Sequence, residues 1–297
     1  YEYEAPLQPI VYVKADVVGT TFDGRSWQTA LNDLQGAADL VGIYAQQNSA
    51  NGYVFVHRNV DGRSLHLTLD DTKVYGGMND ETSQTVVYNE NGTIETGNVE
   101  TKVGELLALR AGLIERTDRD RSTLTDVTVN AQGAVVDGFE VSGNVSLGND
   151  GYLSTSVVKK DINNGDGTGI LYNTLVYGSV PQSVKAVNVT ATGTIDTGSN
   201  NRPDVTDDKT NTYVTDDDWK YQLMETSDDI DGGNAEKEKE TEDCIAAVGH
   251  SRDIAGNLRI RGKVDNGCFE TWDINNELTT DNIITSDDYP HGKSVVY

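Results

Sequence analysis

Short β-branched runs, each closed by glycine, asparagine or aspartate, limit what this chain can fold into. "STLTDVTVN", "AVVDGFEVSG", "GILYNTLVYG" and "AVNVTATGTI" each hold a few strand formers before a turn residue intervenes. "IVYVK" from Ile10 to Lys14, "GYVFVHRNV", "SLHLTLDDTKVYGG" and "QTVVYN" read the same way, with Leu65, Leu67 and Leu69 on one face. No strict repeat is present. The runs nevertheless recur with loops of variable length between them, which is how a solenoid reads when each coil carries its own insertions. Val127, Val129, Val135, Phe139, Val141, Leu175, Val176, Val187 and Val189 are the expected inward set. A β-sandwich also gives short strands, but its hairpins are spaced more evenly than the gap between Val141 and Ile170. One helix is expected near the start, with Ser26 as its N-cap and Leu31, Leu34, Ala38 and Val41 at helical spacing.

Charge narrows the partners. The 297 residues carry 48 acidic and 23 basic side chains, a formal net charge of −25. A phosphate backbone or an anionic membrane surface repels such a chain, so neither nucleic acid nor membrane insertion is expected. No apolar run approaches the roughly 18 residues of a membrane span. Residues 204–243 concentrate the acid and read as a long solvent-exposed insertion. The chain starts at Tyr1 and ends in "YPHGKSVVY", a strand-like finish. The expected organisation is one domain over residues 1–275, with 276–297 as a linker or the start of a further domain of a longer chain.

Few residues are spaced for chemistry. "DINNGDGTG" offers oxygen donors at alternate positions, and Asp161, Asn163 and Asp166 are the candidate Ca²⁺ ligands. Gly165 holds the fifth position and Tyr172 stands at the twelfth, so a plain turn between strands competes with the metal loop. The glycines there precede no strand-to-helix phosphate turn. His250 and Ser251 adjoin in "VGHSRD" but lack a nucleophile elbow. Asp126 and Asp137 are eleven residues apart, less than one solenoid coil, so they do not stack as an acid–base pair. Lys159, Lys160 and Arg121 are available as bases, but nothing in the spacing gathers them. No catalytic residue is therefore expected, and no cofactor beyond Ca²⁺. Cys244 and Cys268 are too few for a four-thiolate zinc site. They are either two free thiols or, in an exported chain, one disulfide closing a loop of about 24 residues and contributing about 3 kcal/mol.

Four stretches carry a resemblance. The first runs from Val11 to Lys14 through Asp23, Gly24, Ser26 and Trp27 to Ala30, Asp33, Leu34 and Gln35. The second holds Tyr75, Gly76, Gly77 and Glu81, and the third Asp137, Gly138, Phe139 and Gly143. The fourth, "DIAGNLRIRGKVDNGCFETW", holds Asp253, Gly256, Arg259, Asp265, Gly267 and Glu270. In this order they resemble the right-handed parallel β-helix (pectin-lyase-like) proteins exported by Gram-negative gut anaerobes. The resemblance implies an all-β right-handed parallel β-helix, with an N-terminal helix capping its open end and the acidic insertion looped out. The charges of the fourth stretch then fix turns of a closing coil, and Cys268 falls roughly one coil beyond Cys244. The expected function is a non-catalytic cell-surface protein, structural, adhesive or carbohydrate-contacting, secreted or held on the outer envelope. Its expected partners are other surface-protein copies or glycans. A polysaccharide lyase or glycosidase is the alternative.

Overall fold

The computed structural model describes residues 7–18, 22–78, 98–108, 122–164, 168–195, 201, 232–233, 239–253 and 265–268. The chain winds into a β-solenoid of about six turns in which every named strand pair is parallel. Sheet A stacks β1 (Ile10–Val13), β2 (Gly52–His57), β4 (Thr72–Met78), β6 (Val135–Asp137), β9 (Tyr152–Ser154), β12 (Ile170–Tyr172) and β14 (Lys185–Val187). Sheet B begins with β3 (Arg63–Leu67) on β5 (Thr123–Asn130) and then divides along the length of β5. One half of β5 continues into β7 (Glu140–Val141), β10 (Val157–Val158), β13 (Leu175–Val176) and β15 (Thr190–Ala191). The other half continues into β8 (Val145–Gly148) and β11 (Ile162–Asn164). Val135 pairs with Tyr152, Tyr152 with Ile170 and Ile170 with Lys185, so successive coils advance by 17, 18 and 15 residues.

The interior follows from this register. Val11, Val54, Val74, Val136, Leu153, Leu171 and Ala186 lie one above the next in sheet A, and Leu124, Val141, Val158, Val176 and Ala191 do so in sheet B. All of them belong to a single buried cluster. Alternation with a period of two then sends their strand neighbours outward. This corrects the expected inward set. Val135 and Val187 lie on the outer face of sheet A, in a separate cluster, and Leu175 takes the face opposite its neighbour Val176. Val127, Val129, Phe139, Val141, Val176 and Val189 point inward as expected. The apparent gap between Val141 and Ile170 holds more than one full coil, β8 and β11 being paired one coil apart.

The open N-terminal end is plugged by α1 (Leu34–Asn48), whose Leu34, Ala37, Ala38 and Val41 join the interior cluster. Its N-cap is Asp33, whose Oδ1 accepts from Gly36 N at 3.1 Å; Ser26 instead organises its own turn with Thr29. Helix and sheet approach so closely that a Cβ on Gly52 would lie 2.1 Å from Val41 O. The first strands are also closed sideways. Tyr12 and Lys14 exchange backbone bonds with Gly24 and Leu31, and the Gln35 side chain bonds both the N–H and the carbonyl of His66 on β3. These bonds satisfy part of the outer edges of β1 and β3. Two further helices, α2 (Val99–Ala108) and α3 (Lys239–Val248), pack outside sheet A. The sequence pattern gave no sign of either. The last five residues of the expected 204–243 insertion, from Lys239 onward, belong to α3.

The corners carry a second ladder. One residue just after each of four sheet-A strands adopts a left-handed backbone: Gly138, Thr155, Asn173 and Asn188, with φ of 81°, 49°, 47° and 54°. At the next corner Asp126 Oδ1 accepts from Asn144 N at 2.8 Å, Asp161 Oδ1 from Ser179 N at 2.7 Å, and Ser179 Oγ from Thr194 N at 3.1 Å. Each N–H left over by the bend is thus satisfied by a side chain one coil earlier.

Leu153 stacks between Val136 and Leu171 with no exposure. Leu153→Ala is expected to lower the unfolding free energy by about 3 kcal/mol through the cavity it leaves, measured by urea denaturation.

Candidate functional site

Sheet A turns an unusual column of residues outward. In register, strand by strand, it reads Tyr12, Phe55, Tyr75, Asp137, Ser154, Tyr172 and Val187. The aromatic end stacks: the Phe55 ring lies 6.1 Å from Tyr12 and 5.6 Å from Tyr75, centroid to centroid. Val103, Leu106 and Leu107 of α2 cover this end. Cys244 and Val248 of α3 cover the other end against Val135, Tyr172 and Val187.

Between the two apolar ends lies a charged set. Asp137 has no exposure. Ser154 Oγ donates to its Oδ2, and His250 Nε2 lies 3.2 Å from its Oδ1, with the imidazole 5% exposed. His250 Nδ1 accepts from Arg252 N at 3.1 Å. Nε2 faces the carboxylate at contact distance, without the alignment of a hydrogen bond. Tyr75 Oη donates to Val248 O and Lys73 Nζ to Ala247 O, each at 2.6 Å. Burial pushes the Lys73 ammonium below its ordinary value, against the pull of Asp71 and Glu100. Both donors therefore engage carbonyls of the last turn of α3, which have no partner within the helix.

The order of these groups decides what they can do. A serine nucleophile needs an imidazole next to its hydroxyl, with the carboxylate behind the ring. Here the carboxylate stands between serine and histidine, so Ser154 has no imidazole to take its proton. The set holds a helix onto a sheet. Sequence reasoning weighed Asp137 and His250 separately and did not join them, because 112 residues lie between the two positions. The local signal was Asp137 itself, an acid at an outward strand position two residues from an outward valine.

Other expected site residues are dispersed. Asp126 and Asp161 cap corners, as described above. Asn163 lies in β11 paired with Ser146, and Asp166 falls outside the described residues. Among the described residues no three His, Cys, Asp or Glu side chains gather as a metal site. Lys159 lies 3.5 Å from Glu140 and 4.7 Å from the centre of the Tyr177 ring. Of the closing-coil residues, Asp253 and Asp265 are buried. Gly267 has φ 91°, a backbone that favours glycine, and its N–H bonds Asn188 O. Gly256, Arg259 and Glu270 fall outside the described residues. The expected disulfide is not formed. Cys244 is buried in the cluster outside sheet A, and Cys268 is buried next to the corner at Asn188. Burial pushes the Cys244 thiol and the Tyr152 hydroxyl, which lies beside it, each up to about 12.

Comparison with known proteins finds no matching family model, no matching curated protein and no matching solved structure.

Asp137→Ala leaves Ser154 and His250 without their carboxylate and is expected to cost about 3 kcal/mol in urea unfolding. Alkali acts in a definite direction. The folded chain keeps the Cys244 and Tyr152 protons to higher pH than the unfolded chain, whose groups lose them near 9.0 and 10.0. Their contribution is therefore complete below pH 9.0 and falls as pH rises toward about 12. Unfolding measured between these limits is expected to show a shallower decline in Cys244→Ala than in the parent chain.

Proposed function

We propose that this chain is a non-catalytic cell-surface module: a stiff rod of stacked coils that carries structural, adhesive or glycan contacts within a longer exported protein. The observation supporting this most directly is the use made of the polar and charged residues at the outer face of sheet A. Lys73 and Tyr75 bond the end of α3, Ser154 bonds Asp137 and His250 lies against Asp137, all buried or nearly so. Asp126 and Asp161, the other carboxylates singled out by sequence, hold corner N–H groups. Charged chemistry in the described coils thus serves the fold, which suits a scaffold better than a lyase. The strongly acidic composition adds mutual repulsion between copies and solubility outside the cell.

Two measurements test the proposal together. Fractionation of source cells is expected to place the protein in the envelope, open to protease on intact cells. Incubation of the purified chain with uronate polysaccharides is expected to produce no ultraviolet absorbance of an unsaturated product. Confinement to the cytosolic fraction, or cleavage of the polysaccharide, would overturn the proposal.

A further inference from the structure

We propose that α3 is a releasable strap, which opens from the outer face of sheet A while the solenoid beneath stays folded. The interior cluster contains no residue of α3, so its packing is complete without the helix. The apolar part of the dock is a separate small cluster, Cys244 and Val248 against Val135, Tyr172 and Val187. Among the described residues, strong polar anchors gather at one end. Lys73 and Tyr75 reach the carbonyls of Ala247 and Val248, and His250 faces Asp137. At the other end, Lys185 and Glu240 approach to 3.8 Å with side chains 48% and 44% exposed, a geometry that contributes little in water.

Helix and dock depend on each other. Ten residues are too few to stay helical alone in water. The last-turn carbonyls that would otherwise lack partners receive them from strand β4 of the solenoid. Undocking therefore melts α3, and melting undocks it, as one cooperative unit smaller than the whole fold. Release uncovers Lys73, Tyr75, Asp137 and Ser154 together, a polar lane that is closed in the docked state.

Cys244 supplies the readout, because its thiol is buried only while the strap is down. The experiment labels the native chain with an alkylating reagent across a series of low urea concentrations and locates the label by peptide mass mapping. Amide exchange in β9 and β10 is followed in parallel. The strap predicts that Cys244 is labelled faster than those amides open and with weaker urea dependence. Tyr75→Phe, which removes one hydroxyl donor, is expected to speed labelling about five- to tenfold, and Asp137→Asn by at least as much. Exchange in β9 and β10 stays unchanged in the Tyr75→Phe chain. The proposal is overturned if Cys244 labelling and β9–β10 exchange share one rate and one urea dependence in the parent and in Tyr75→Phe. Tyr75→Phe decides the matter alone should Asp137→Asn fail to fold.

Discussion

Everything in this fold depends on one register. Parallel strands place each residue directly above its counterpart one coil earlier, so a side chain is judged by the column it joins. Val136, Leu153, Leu171 and Ala186 satisfy such a column with no exposed area beyond the 6% of Ala186. A slip of one residue would exchange this column for Val135, Tyr152, Ile170 and Lys185, and would drive a lysine into the interior. The same register aligns Asp137 with Ser154 and so builds the buried bond on the outer face. Core and polar set are two consequences of one alignment.

The outer face of sheet A is where the chain departs from a plain rod. A solvated sheet face would carry polar residues, yet here it carries Tyr12, Phe55, Tyr75, Tyr172 and Val187, and two helices cover it. Burial at that face also sets the electrostatics. An isolated carboxylate there would be costly, and Asp137 is tolerable because Ser154 and His250 meet it. Lys73 is handled in the same way, by a helix-end carbonyl at 2.6 Å.

Much of the solenoid was legible because turn residues punctuate the strands. The strand of Ile10 to Val13, the helix containing Leu34, Ala38 and Val41, and the run from Thr123 to Asn130 all follow from local pattern. Face assignment failed at Val135, Leu175 and Val187 because both faces of the sheets are apolar there, which erases the alternation that marks an inside. Tyr152 to Ser154 and Ile162 to Asn164 escaped notice because serine and asparagine fill their outward positions. α3 escaped because acidic residues mask its few apolar contacts. The meeting of Asp137 with His250 is a product of folding, and no local window contains it.

The corner bonds give the rod a polarity. At the corner through Asp126, Asp161 and Ser179, each accepting oxygen belongs to the earlier coil and each N–H to the later one. A chain laid down from its N-terminus therefore meets a waiting side-chain acceptor at these three bends. The backbone at the same corner runs the opposite way, with Val127 N, Ile162 N and Val180 N of the earlier coil donating forward to Asn144 O, Ser179 O and Thr194 O, so only the side-chain bonds carry this direction. Winding from the other end would present Asn144 N, Ser179 N and Thr194 N before the side chains that receive them.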